Sequence, residues 1–581
     1  MKSNETTVAS YVANFFKLRV GRVFTITGGG AMYLNDAFSR SFGDNLVFMH
    51  HEQSLSMAAE AYARFNGLGV CQVTTGPGGI NALAGCAGSF IDSQPIFFVS
   101  GQVESYSLTH NSVRQFGVQE VDICSIVEPI VKEVVQLNDP NLVRYDLERL
   151  YFIATTGRPG PVWLDIPLDI QNSKVVESDL VGFDPPIRDK RFERMLEVKI
   201  EKSADLISQS RRPILLIGAG SRSFLEANPG YIENLGIPVV TGWNGKDLVD
   251  HAHPAYLGSC GIFGNRVANL AVNEADLVIG IGYRFSVPQI GYDPSGFAPK
   301  AKKICVDIDP GEFLKSDSFF DLTIQCDAGT FLGQITRDRF GDLKEWSEYL
   351  QTLRTKYSLD EIYNWDFVDP PRAVNSFEFM RSLGEALPEN VRCVTDMGTS
   401  FTCTHQVLHL DRGHELFTSS GLASMGFGLP GAIGAAQTND GITLLITGDG
   451  GLMFNLQELE VVSNSRLDVR IVLLNNDGYL TMKHMQKARF DHLVGSDPST
   501  GLSMPRFDAI ATAFDIEHRA CSESTEIEEC LGWLLERGSP KQRILEVFMD
   551  PEQPLIPRVQ TRTDDQGKLI PPTLADVFPF L

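Results

Sequence analysis

The stretch GDGGLMFNLQELEVVSNSRLDVRIVLLNNDGYL, residues 448–480, constrains this chain more than any other. ITLLITG, which leads into it, and VRIVLLNN within it are apolar, β-branched runs of strand length, and NLQELEVVSNS between them has helical spacing. Strand, helix and strand in that order form one βαβ unit, whose right-handed crossover returns the second strand parallel to the first. Asp449 and Asn476 therefore leave the carboxyl edge of adjacent strands, where open α/β sheets bind ligands. Asp449 offers a hard carboxylate, Asn476 a neutral amide oxygen, and the turn at Gly478 a backbone carbonyl. Three such oxygens, with positions left for water or phosphate, suit Mg²⁺. Gly450 and Gly451, which follow Gly448 and Asp449, lack Cβ, so their amides can approach a phosphate at the start of the next helix. Taken singly, GDGG reads as a tight turn and NNDG as a loop; at one crossover's spacing the pair reads as a metal-bridged diphosphate site.

The rest of the chain repeats the same alternation. NLVFMH, GVCQVTT, PIFFVSG and PVWLDIP mark strands among helical patterns up to about residue 180. PILLIGAG, IPVVTG, ADLVIGIG and KICVDIDP mark a second block, and VRCVTDMG, GITLLITGDG, VRIVLLNN and QRILEVFM a third. A chain of 581 residues is too long for one core. The expected fold is α/β, with three consecutive domains of mainly parallel sheet at 1–180, 190–350 and 370–550, and a Pro-rich tail at 551–581. The polar interval 172–194 is expected to be a linker. A formal charge of -23 disfavours nucleic acid and anionic membranes as partners. Ten scattered cysteines without a CxxC pair suit a reducing compartment, and no stretch stays apolar for the roughly 18 residues of a membrane span. A cytoplasmic protein is expected.

GDG followed after about 25 residues by NN resembles the signature of the thiamine diphosphate enzymes, and other segments extend the resemblance over the three blocks. HHEQSLSMAAEAYARF, TTGPGGIN, SFIDSQPIFFVSGQV, DMGTSF and FTSSGLASMGFGLPGAIGAA are similar to segments of the acetolactate synthase-like group. The resemblance implies that Glu52, supplied by one subunit, bonds N1′ of the cofactor's aminopyrimidine in the site of another. It further implies a carbonyl from Ala423 for the 4′-amino group, an amide from Met425 for N3′, the Met425 side chain as the wedge under the bent cofactor, and Thr399 against the diphosphate. Because Glu52 and the diphosphate site come from different subunits, a homodimer or homotetramer is expected.

GSCGIFGNRVANLAVNEADLVIGIGYRFS and KICVDIDP resemble the flavin-carrying middle domain of the same group. That resemblance implies a non-redox FAD contacted by Arg284, Asp307 and Asp327. NNDGYLTM has Met482 where simple pyruvate decarboxylases carry a proton-donating Glu, which favours carboligation. The Trp of acetolactate synthases beyond NN is replaced by a polar run, Lys483 to Gln486, and the expected acceptor pocket is roomier and more polar. The tail GKLIPPTLADVFPFL resembles those of relatives acting on keto-sugar nucleotides. The expected reaction decarboxylates pyruvate or a similar 2-oxo acid and transfers the two-carbon unit to a carbonyl acceptor, a keto-sugar nucleotide or another 2-oxo acid. Gln119 is the candidate for orienting substrate, with His110 and His484 as candidates for proton handling. The alternatives are a non-oxidative decarboxylase releasing aldehyde and a catalytically silent homologue.

Overall fold

The computed structural model describes residues 5–109, 113–186, 190–315, 319–357, 373–438, 441–538, 542–563, 569–570 and 572–579. Three six-stranded sheets, parallel throughout, follow one another along the chain. The first runs in spatial order Leu46–Phe48, Val23–Thr25, Gly69–Val73, Ile96–Gln102, Val162–Pro167, Glu133–Gln136. The third runs Glu415–Phe417, Arg392–Thr395, Thr443–Gly448, Val469–Asn475, Arg543–Phe548, Glu517–Cys521. Numbered by sequence within each sheet, both have the order 2-1-3-4-6-5, so the first and third blocks share one topology. The middle sheet runs Tyr256–Ser259, Val239–Thr241, Pro213–Ile217, Leu277–Ile281, Lys302–Asp307, Leu322–Gln325, the order 3-2-1-4-5-6 of dinucleotide-binding folds.

The central strands read as continuous apolar runs because helices cover both faces, and their side chains are buried along the full length of Ile96–Gln102 and Val162–Pro167. Phe98 stacks on Trp163 at 4.6 Å between these strands, and the indole N–H donates to Ser100 Oγ at 2.8 Å. Local signals start and stop the helices. Thr7 Oγ1 accepts from the Ser10 amide at 3.1 Å to open Val8–Lys17, and Gly67, at φ 84°, ends Glu52–Asn66 in the left-handed region.

The first and third blocks meet along two helices. Gly428–Ala436 is buried on every side and lies against Glu52–Asn66 so closely that a Cβ on Gly434 would sit 2.0 Å from the Ala58 carbonyl oxygen. The His50 amide donates to the Glu458 carboxylate at 3.2 Å, and Ser54 Oγ donates to Asn455 Oδ1 at 2.9 Å across the same seam.

One interval departs from the expectations. Within 172–194, Lys174–Val176 pairs antiparallel with Glu5–Thr7, closing the first block rather than merely leaving it, and Lys190–Gln209 is a helix. The tail is stitched to the middle block: Val559 N–H donates to Ile262 O at 2.7 Å, and Arg266 donates to the carbonyls of Val577 and Pro579. Among the described residues no helix is long and apolar enough to cross a membrane.

Candidate active site

Thr443–Gly448 and Val469–Asn475 are neighbours in register, Gly448 opposite Leu474, so the loops that follow them emerge side by side. Asp449 opens the short helix Asp449–Met453 and is 1% exposed. Its Oδ1 accepts from the Gly450 amide at 2.7 Å and its Oδ2 from the Gly478 amide at 2.9 Å, which ties the two loops together. Asn476 is buried, and its Oδ1 has no hydrogen-bond partner. An orphaned buried acceptor costs on the order of 1–3 kcal/mol, and a cation seeking oxygen ligands removes that cost. A carboxylate beside an unpartnered amide oxygen fits Mg²⁺, and no cluster of three or more His, Cys, Asp or Glu competes for a metal among the described residues. Burial raises the Asp449 carboxyl to about 6, against the opposing pull of the Gly478, Gly450 and Asn476 amides.

Gly478 is required by its geometry. Its φ is 146°, and a Cβ there would lie 2.2 Å from Ser496 O, the carbonyl that also accepts from the Tyr479 amide at 2.8 Å. The Tyr479 ring lies over Gly450, and the Met425 thioether methyl reaches the same spot: a Cβ on Gly450 would sit 2.3 Å from the ring and 3.5 Å from Met425 Cε.

In the 2-1-3-4 part of the third sheet the crevice opens between Arg392–Thr395 and Thr443–Gly448, where the connections diverge. Asp396 stands at the end of the first of these strands, 1% exposed, and sequence reasoning did not single it out. Its carboxylate accepts from the amides of Met397 at 2.7 Å, Gly426 at 3.0 Å and Gly428 at 3.2 Å, and from Thr447 Oγ1 at 3.2 Å. It thereby pins the 423–428 turn to the crevice. Ala423 there adopts φ 58°, a left-handed conformation that a residue with a Cβ holds only under constraint, and Met425 is half-buried. Three residues beyond Asp396, Thr399 opens the helix Thr399–Val407 after Gly398, which has φ 87°. Asp449, Gly450, Asn476, Gly478, Met425 and Tyr479 thus converge on one crevice.

Comparisons with known proteins identify the three blocks. Residues 6–126 match the N-terminal TPP binding domain of the thiamine pyrophosphate enzymes, residues 200–335 their central domain, and residues 396–542 their C-terminal TPP binding domain. Over 96% of its length the chain is 31% identical to a probable acetolactate synthase large subunit of Methanocaldococcus jannaschii, covering 94% of that protein. It is 30% identical to the acetolactate synthase isozyme 2 large subunit of Escherichia coli K12, covering 95% of this chain and 97% of that one. It is also 30% identical to the chloroplastic acetolactate synthase 2 of Zea mays, covering 92% of this chain and 84% of that one. The chain belongs to the acetolactate synthase-like thiamine pyrophosphate enzymes.

Other candidate residues of this thiamine pyrophosphate enzyme are held by contacts of their own. Glu52 is half-buried at the start of its helix and accepts from Asn81 Nδ2 at 3.0 Å within its own domain. Gln119 is exposed at φ 62°, with its carbonyl directly over Gly76 of TTGPGG, where a Cβ would come within 2.3 Å. Its neighbour Glu120 is buried. Although burial alone would raise its carboxyl, bonds from the Phe116, Thr109 and Gly117 amides and the Thr109 hydroxyl hold it down at about 2. His110 lies outside the described residues. His484 donates Nε2–H to Gln553 O at 2.7 Å, and Lys483, 4% exposed, donates to Pro551 O at 3.3 Å. Lys483 and His484 are therefore turned toward the tail, while Met482, Met485 and Lys487 are exposed on the same helix, Leu480–Lys487.

In the middle block a cavity of about 620 Å³ sits at the carboxyl edge, where the strand order reverses beside Pro213–Ile217 and Leu277–Ile281. Arg284, Asp307 and Asp327 all line it. Arg284 pairs with Asp92 at 2.9 Å, and Asp327 caps Ala328–Leu332 through the Gly329 amide at 2.8 Å. Asp307 is raised to about 6, chiefly by burial.

Proposed function

We propose that this thiamine pyrophosphate enzyme is a Mg²⁺-dependent carboligase that decarboxylates pyruvate or a close 2-oxo acid and transfers the two-carbon unit to a carbonyl acceptor. The observation that carries the proposal is the Asp449–Asn476 pair, a buried carboxylate tied to the loop of a buried, unpartnered amide oxygen. When bound, thiamine diphosphate supplies the carbon nucleophile that adds to the 2-oxo acid and accepts the electron pair released with CO₂. Asp449, the Asn476 amide oxygen and the Gly478 carbonyl hold the metal. The Gly451 amide and Thr399, with the Gly450 amide once its bond to Asp449 opens, hold the diphosphate next to Gly448. Ala423 and Met425 position the aminopyrimidine.

Glu52 acts on the aminopyrimidine in a second copy's site. The chain then works as a homodimer or larger homo-oligomer, a reading supported by the resemblance to the acetolactate synthase-like group, with Glu52 held beside Asn81 at the start of its helix. Gln119 orients the substrate. The acceptor is a keto-sugar nucleotide or another 2-oxo acid, entering past exposed Met482 and Met485. For His484 to move a proton, its bond to Gln553 must open, and His110 is the other candidate. The middle cavity takes FAD as a structural, non-redox group, a reading supported by its dinucleotide-type strand order and by Gly218 and Gly220 in its wall. Ten unpaired thiols, nine of them buried, support a cytoplasmic location.

The test is CO₂ release from pyruvate by the purified protein with thiamine diphosphate and Mg²⁺, with products identified by mass spectrometry in the presence and absence of carbonyl acceptors. An acceptor-dependent ligated product is expected. Free acetaldehyde as the main product would replace the carboligase reading with a decarboxylase, and absence of turnover on any 2-oxo acid would point to a silent homologue.

A further inference from the structure

A second cavity, of about 300 Å³, lies where the middle block, the third block and the tail meet. It is bounded by the edge strand Tyr256–Ser259, the helix Lys344–Lys356, the carboxyl end of Thr399–Val407, and Ile556, Pro557 and Pro579. Its volume is that of a small organic ligand. In a chain with 73 acidic and 50 basic side chains, the described residues of this wall include Lys246, Arg266 and Arg354 with His251 and His409, and no Asp or Glu among them.

Lys246 and Arg354 are bonded to neutral oxygens. Lys246 is 3% exposed, its ammonium donates to His405 O at 3.1 Å, and it has no ion-pair partner among the described residues. Arg354 donates to Tyr256 O and likewise has no carboxylate partner. Arg266 donates to the carbonyls of Val577 and Pro579. Burial without a counter-ion pushes Lys246 down to about 7. His251 is held neutral, first by burial and then by Lys246, its Nε2–H donating to Lys246 O at 2.8 Å. A buried ammonium without a counter-charge is a standing cost that an anion in the cavity would offset.

We propose that this junction cavity is a second ligand site, taking a small anion that carries a carboxylate or phosphate group held by Lys246 and Arg354. The site lies at the opposite end of Thr399–Val407 from the cofactor crevice, so its occupant bears on the same helix.

The test is calorimetric titration of the intact protein with malonate and, separately, with inorganic phosphate at constant ionic strength, with and without thiamine diphosphate and Mg²⁺. The proposal expects one saturable site per chain for at least one probe, weakened at least about tenfold in Lys246→Met. Binding of malonate alone identifies a carboxylate ligand and binding of phosphate alone a phosphorylated one. Removing an uncompensated buried charge should leave the anion-free melting temperature of Lys246→Met at or above that of the parent, which separates loss of the site from loss of the fold. Should that variant not fold, Arg354→Gln, at a half-buried position, is read in its place. Absence of saturable binding of either probe to the parent protein, or binding unchanged in the variant, would overturn the proposal.

Discussion

At the scale of single residues, the cofactor crevice is a set of oxygens waiting for partners and amides already committed to them. Metal ligation needs the Asp449 proton removed, and burial holds that carboxyl at about 6. Mg²⁺-dependent binding of thiamine diphosphate should therefore weaken about tenfold per pH unit below 6 and level off above 7, as calorimetry across that range would show. Without metal the sign is opposite for folding. A carboxyl raised on folding favours the folded state most below its unfolded value near 4, and that contribution is lost as pH rises through about 6. The thermal stabilisation given by metal and cofactor should accordingly grow between pH 5 and 7. Asp396 shows what sequence reading passed over. It stands immediately after a buried strand, as Asp449 does, but without the flanking glycines that drew attention to the latter. Asp396→Ala would strand four donors, at a cost of about 2–4 kcal/mol, and lower the melting temperature by about 2–4 °C per kcal/mol.

At the scale of elements, the βαβ unit around residues 443–475 was legible because strand composition, crossover length and terminal polar residues agreed. The helix Leu480–Lys487 was legible only as a polar run. Which of its sides meets the tail is set by packing against residues 551–553, and the result places Lys483 inward and the methionines outward. The Gly428–Ala436 helix was read for its cofactor-binding approach, while its second task, close packing on Glu52–Asn66, depends on a partner hundreds of residues away. Gly434→Val should push those helices apart and cost more than about 3 kcal/mol, seen as a loss of soluble protein or a large drop in melting temperature. Conservative loss of a single exposed side chain on the same block, such as Met482→Leu, should leave the melting temperature within about 1–2 °C while changing the acceptor preference of the reaction.

At the scale of the whole molecule, three α/β blocks could be counted from strand and helix alternation, but the shared 2-1-3-4-6-5 order of the first and third could not. Strand order depends on which edge each crossover chooses, and residue patterns do not record that choice. The same limit applies to the active site, whose Glu52 and Asp449 are assigned here to different copies. If so, Glu52→Gln and Asp449→Asn, each inactive alone, should recover about a quarter of parental activity when dissociated, mixed equally and reassembled, since half the dimers then hold one intact site of two. No recovery would place both residues in a site within one chain. The central claim, that the two strand ends build a metal-bridged diphosphate site, is tested most directly by calorimetric titration of the parent protein and Asp449→Asn with thiamine diphosphate, with and without Mg²⁺. The account predicts saturable binding to the parent that depends on Mg²⁺ and is lost in the variant; equal binding by both proteins, or binding indifferent to the metal, would contradict it.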